Sequence, residues 1–172
     1  MRQRRELDFY QCSNELLSRM RHGGVLCTVT DESGAINVLT LGWGLLGPHY
    51  YERPILAIAV TPRRHSWRFL EAVPEFTIAV PDDSLQDAVA LCGTKSGRDL
   101  DKFMAAGLTP VPGLRVRAPS IAECPINIEC QVYAKVAPPH LLLTPRHRER
   151  PLEEQHTIYF SQVLGTYGWS DA

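Results

Sequence analysis

The stretch Ile126-Asn127-Ile128-Glu129-Cys130-Gln131-Val132-Tyr133-Ala134-Lys135-Val136 alternates apolar and polar residues without a break. A period of two is that of a β-strand with one face in a core. Upstream, Pro110, Pro112, Pro119 and Pro125 break up the chain. Downstream, residues 138–151 form a loop rich in Pro and Arg, with room for a short strand at 141–143. Its segment Arg146-His147-Arg148-Glu149-Arg150 reads as solvated surface. Residues 157–164 read as the last strand.

Further strands are predicted at 25–30, 35–41, 55–61 and 76–80. Asp31-Glu32-Ser33-Gly34 is a turn, so the first two make a hairpin. The run Ile55 to Val60 is wholly apolar, as in a strand covered on both sides. Gly42, Gly44 and Gly47 mark bulges or a close backbone approach. Short helices fit between the strands. Ser13 caps one with Leu16, Leu17 and Met20 inside, ended by Gly23-Gly24. Ser66 caps another through Ala72. A third starts at Asp82-Asp83-Ser84, buries Leu85, Ala88, Val89 and Cys92, and ends at Gly93. Asp99 caps a fourth, with Phe103 and Met104 inside and Gly107 after it. Residues 2–8 are polar and expected to fray. The strands do not alternate regularly with helices, which disfavours a doubly wound parallel sheet. The expectation is a mainly β protein, an antiparallel barrel or sandwich with short helices at its ends.

At 172 residues the chain suits one domain, 1–172. Lys and Arg number 18, Asp and Glu 19, so the formal charge is −1. A whole-protein electrostatic grip on nucleic acid is not expected. The longest apolar run is far short of a membrane span, and the Arg-rich N-terminus lacks a signal-peptide core. The five cysteines are odd in number and form no Cys-x-x-Cys pair. They read as small buried residues in a reducing, cytoplasmic setting, with neither disulfides nor a zinc ribbon.

Three stretches can carry chemistry. Arg63-Arg64-His65-Ser66 precedes a helix start, where forked guanidiniums and free N–H groups suit a phosphate. It also suits a plain basic turn. Cys92-Gly93-Thr94-Lys95-Ser96-Gly97-Arg98, with Lys102 beyond, is a second candidate anion cradle, without the order of a P-loop. As a bare sequence it is equally a polar interhelical loop. Asn37-Val38-Leu39-Thr40-Leu41-Gly42-Trp43 puts a glycine-bracketed Trp at a strand end, beside a planar ligand or in a barrel corner. No nucleophile elbow, no metal-ligand spacing and no Gly-x-Gly-x-x-Gly is present. His140, His147 and His156 lie in or beside the Arg-rich loop, where exposed histidines are the default.

Taken in order, these stretches resemble the flavin reductase-like family. So do Glu75-Phe76-Thr77-Ile78-Ala79-Val80-Pro81, Ala106-Gly107-Leu108-Thr109-Pro110 and Glu123-Cys124-Pro125-Ile126-Asn127. The segment Ser96-Gly97-Arg98-Asp99-Leu100-Asp101-Lys102-Phe103 is the most specific match, and the likeness is greatest to the flavoredoxin branch. The resemblance implies an antiparallel Greek-key split barrel that dimerises and binds FMN, with FAD as the alternative. It implies that 38–43 run beside the flavin ring, that 63–66 meet the phosphate and that 92–102 close the other side. Flavin carries the redox chemistry itself, so no side-chain acid or base is required. Lys95 or Lys102 would favour the anionic reduced ring. Two-component reductases of this family often carry Gly-Asp-His before the last strand, where the His helps shape the nicotinamide site. Here the match reads Glu154-Gln155-His156-Thr157, which keeps His156 for the nicotinamide side and lacks Gly-Asp. The implied activity is electron transfer through bound FMN, from NAD(P)H or from a redox protein. The alternative is a barrel that binds FMN or another phosphate-bearing cofactor without turnover.

Overall fold

The structure is a computed structural model that describes residues 3–48 and 53–170. Of the sequence expectations, the outer ends of the 1–172 domain and Arg2 lie outside the described residues. In chain order the elements are β1 (Gln3–Glu6), α1 (Phe9–Arg21), β2 (Val25–Thr30), β3 (Ile36–Leu41), β4 (Gly44–Pro48), β5 (Pro54–Val60), α2 (His65–Ala72) and β6 (Glu75–Val80). Then come α3 (Gln86–Thr94), α4 (Lys102–Ala105), β7 (Pro110–Val111), β8 (Ser120–Ile121), β9 (Ile126–Val136) and β10 (Thr157–Ser170).

The main sheet is antiparallel and runs β3-β2-β6-β9-β10-β5-β4, with β1 on the far end of β10. The chain passes from β5 to β6 over β9 and β10, the expected Greek-key jump. β3 and β4 stand at opposite ends of this order, yet only Gly42 and Trp43 separate them in sequence. That link reaches at most about 11 Å. Six strand spacings laid flat would span roughly 29 Å. The sheet must therefore curl until its ends meet, which makes it the expected split barrel.

Alternation then sorts the side chains. Cys27, Leu39, Ile58, Ile78, Ile128 and Tyr159 point into one interior cluster, joined by Leu16 and Met20 of α1 and Phe69 and Leu70 of α2. The opposite faces of β2, β3 and β6 supply Leu26, Val38 and Ala79 to a second cluster under α3 and α4. β2 is consequently buried on both sides.

The outer face of β6 and β9 is covered by the proline-rich segment 108–125, and polar side chains fasten it. The Glu129 carboxylate accepts from Leu114 N at 2.8 Å and Arg115 N at 2.6 Å. Asn127 accepts from Ile121 N and donates to the Ile121 and Cys124 carbonyls. Thr28 and Thr77, cross-strand partners, donate to Pro119 O and Ala118 O. The period-two reading of β9 is thus right. In its first half, however, the outward polar residues face this covering segment and not water: Asn127 and Glu129 are fully buried, whereas Gln131, Tyr133 and Lys135 further along are exposed.

Several boundaries differ from the sequence reading. Residues 3–6 form β1 by pairing with β10, so long-range pairing replaces the expected fraying. Asp8, not Ser13, caps α1, its carboxylate accepting from Gln11 N, and Leu17 is exposed. Ser66 lies inside α2, where Arg64 takes the cap position. α3 runs through Gly93 to Thr94. Asp101 and not Asp99 caps α4, and Met104 is exposed. Gly44 and Gly47 belong to a strand, and residues 141–143 do not form one. β10 extends to Ser170, past an irregularity between Val163 and Gly165. At Gly165 a Cβ would fall 2.2 Å from the Tyr167 hydroxyl.

Replacing Glu129 by Ala strips two part-buried N–H groups of their charged acceptor. Glu129→Ala is expected to lower stability by about 1.5–3 kcal/mol, read as a lower urea midpoint at unchanged slope. An unchanged midpoint would show that the covering segment holds without this clamp.

Candidate functional site

The three stretches singled out in sequence converge at the edge of β3. The turn before α2, the loop between α3 and α4, and β3 itself enclose a cavity of about 130 Å³. Asn37 and Leu39 line it from β3; Arg63, Arg64, His65 and Ser66 from the turn; Thr94, Lys95, Ser96, Gly97, Arg98 and Lys102 from the loop and α4. Five of these twelve are Arg or Lys and none is Asp or Glu.

Internal hydrogen bonds hold this wall of cations in place. Arg64 Nη1 donates to Gly93 O at 3.0 Å, and Arg98 Nη1 to Arg63 O at 3.3 Å. Asn37 Nδ2 donates to the buried Ser66 Oγ at 2.8 Å, which joins β3 to the first turn of α2. Gly97 packs so closely on Asn37 that a Cβ would lie 2.4 Å from Oδ1. Any larger residue there would push the loop off the strand.

Lys102 is the buried centre of the arrangement. Its Nζ donates to Val38 O at 2.9 Å and Cys92 O at 2.8 Å, tying the strand to α3. Burial lowers its pKa from the ordinary lysine value, with the Arg64 charge adding to that. Val38 and Cys92 therefore serve through their carbonyls, with both side chains in the core beneath. Burial pushes the Cys92 thiol up to about 11, Lys102 opposing, so it is an inert thiol. Gly93 sits against Thr40, which donates to Val89 O.

His65 stands edge-on to Phe69, ring centroids 5.2 Å apart. Its Nδ1 is buried without a hydrogen-bond partner among the described residues. Burial lowers its pKa below 6.5, and Arg98, Arg68 and Lys102 lower it further. An unpartnered imidazole nitrogen among cations suits an anionic ligand.

A second cavity of about 240 Å³ adjoins the first and shares Leu39 and Arg64 with it. Thr40, Leu41, Gly42 and Trp43 form one wall; Ala59, Val60, Thr61 and His156 form the other. Trp43 is 42% exposed, so it flanks an open groove and does not fill a barrel corner. Burial, Arg150, Arg64 and His140 all lower the pKa of His156. Sequence reasoning did not single out Ala59, Val60 and Thr61. Their signal was the apolar strand 55–60, which gives no hint that its last residues reach a groove.

Residues 17–171 match the flavin reductase like domain, and the chain belongs to that family. An uncharacterized protein of Archaeoglobus fulgidus is 34% identical over 100 residues, 58% of this chain and 55% of its own length. One of Pyrococcus abyssi is 38% identical over 79 residues, 46% of this chain and 45% of its own. The chain thus spans about half the length of these curated relatives. Among solved structures, flavoredoxin of Desulfovibrio vulgaris superposes with a TM-score of 0.67 at 23% identity, covering 83% of this chain and 67% of that one. The NADH:FAD oxidoreductase of Streptomyces globisporus gives 0.65 at 19%, covering 85% and 75%. These likenesses establish the fold. No helix among the described residues is long and apolar enough to cross a membrane.

The His65 environment has a titration consequence. In the free protein its ring should titrate below 6.5. An oxyanion beside it reverses the local charge and raises that pKa. Such a site binds best below the free-state value and loses the gain as pH rises through the bound-state value. Histidine NMR with and without saturating sulfate, an anion that does not itself titrate here, should show the midpoint of His65 moving up. Equal midpoints would place the anion elsewhere.

Proposed function

We propose that this protein is an FMN-dependent oxidoreductase of the flavin reductase type. The observation that carries the reading is continuity: the cationic cavity and the Trp43 groove meet at Leu39 and Arg64. One site then accepts both a phosphate-bearing tail and a flat ring. The residues present fit such a group, since His65 Nδ1 lacks a partner and the cation wall lacks a carboxylate. The small volume of the cationic cavity supports FMN, which ends in a phosphate, over FAD.

When bound, FMN supplies the electron transfer. This chain binds and orients. Arg64 and Arg98 present guanidiniums to the phosphate, and the N–H groups of the first turn of α2 add donors and a partial positive charge. Among the described residues β3 pairs with β2 alone, so alternate N–H and C=O groups on its other edge are not consumed by the sheet. Thr40 to Trp43 bring that edge to the ring. Lys102, held on two carbonyls, adds a buried positive charge to the cationic end of the site.

His156 lines the groove opposite Trp43, which supports a nicotinamide approach from that side. β4 is an edge strand whose Leu45 is 60% exposed beside the exposed Trp43, which supports burial against a second copy and a homodimer. The five cysteines are all unpaired, in keeping with a cytoplasmic setting.

Anaerobic titration of the FMN-loaded protein with NADH and NADPH, followed by visible absorbance, tests the activity. Stoichiometric bleaching is expected. A flavin that binds but stays oxidised would contradict nicotinamide use and leave a carrier fed by a redox protein.

A further inference from the structure

Beyond the Trp43 groove lies a third cavity, of about 180 Å³, formed where the loop between β9 and β10 folds back on β5. It shares Trp43, Ala59 and His156 with the groove. Leu142 and Ile158 give it apolar walls; Arg150 and His140 give it positive or neutral donors. Among the described residues no carboxylate lines it.

The loop is built to hold these groups. The buried Gln155 accepts from His140 N at 2.9 Å and donates to Arg150 O at 2.9 Å. His140 Nε2 lies 2.6 Å from His156 O, so it is the protonated nitrogen and Nδ1 is left as an acceptor or, when charged, a donor. Arg148 is spent on Leu143 O and Arg146 on His147. Among the described residues the Arg150 guanidinium makes no hydrogen bond or ion pair, and it is half-buried. A half-buried guanidinium beside two imidazoles, with no carboxylate among the described residues of the cavity, keeps its forked donors for an anion.

We propose that this cavity is an oxyanion-reading substrate pocket. It takes the carboxylate or phosphate group of a small electron donor or acceptor on Arg150, with the apolar body against Trp43, Leu142 and Ile158. The cavity is smaller than that of a drug-sized ligand, which suits a single ring or the anionic end of a larger molecule. The ligand's role as electron donor or acceptor rests on the flavin reading; the anion binding itself does not.

Benzoate is the probe for a carboxylate, measured by calorimetry on flavin-free and FMN-loaded protein. Saturable binding is expected, weakened tenfold or more in Arg150→Ala and largely kept in Arg150→Lys. Arg146→Ala makes the same charge change outside the cavity and should bind as wild type. The phosphate source is tested by comparing NADPH with NADH as competitors. A tenfold preference for NADPH that vanishes in Arg150→Ala also supports the pocket and assigns it to the phosphate. Absence of benzoate binding together with equal NADPH and NADH affinities overturns the proposal. So does benzoate binding unaffected by Arg150→Ala. FMN affinity measured on the same samples separates the two readings: benzoate binding without FMN binding would sink only the flavin assignment.

Discussion

Gly42 and Trp43 must carry the chain from one edge of the sheet order to the other. That two-residue reach forces the curl of the barrel. It also creates the site, because it brings the free edge of β3 and the start of β4 around to the ends of β5 and β10. The groove between Trp43 and His156 is the seam where the barrel closes. Everything proposed for this protein lies along that seam: a cationic cavity at one end, an aromatic-walled groove in the middle and the Arg150 cavity at the other end.

Holding so much positive charge at one seam is electrostatically expensive, and the structure limits the cost locally. Arg64, Arg98 and Lys102 each lean on a main-chain carbonyl, which orients the cation without neutralising it. His65 and His156 yield instead, their pKa values falling so that the rings stay neutral among like charges. Among the described residues, Arg63 at the outer rim is the one cation of the cavity with a carboxylate partner, Glu154 at 2.6 Å. A wall of oriented, unneutralised cations favours an anionic ligand and disfavours a neutral one.

Much of this was legible in the sequence because it rests on local signals. The alternation of 126–136 is a strand signal that needs no partner, and the hairpin at Asp31–Gly34 carries its own turn. The two basic loops were readable as anion cradles, and the family resemblance placed them on one ligand. What stayed hidden depends on long-range contacts. Residues 3–6 look like a loose tail until β10 is there to pair with. Glu129 and Asn127 look like solvent-facing positions until the proline-rich segment lies over them. Lys102 looks like a cradle cation, and only the fold shows that its Nζ is engaged with Val38 O and Cys92 O. His140 and His156 look like exposed chance residues; Gln155, buried and bonded to His140 N and Arg150 O, shapes the loop that brings both to one cavity.

The central claim is that the cationic cavity holds the phosphate of a flavin whose ring lies along Trp43. The most direct test is a paired titration of FMN and riboflavin, which differ only in that phosphate, followed by flavin fluorescence in wild type and Arg64→Ala. Wild type should bind FMN at least tenfold more tightly than riboflavin, as expected for a charge-assisted contact of about 1.5–3 kcal/mol, and Arg64→Ala should narrow the gap. Equal affinities for the two flavins, or a gap that Arg64→Ala leaves unchanged, would contradict the account.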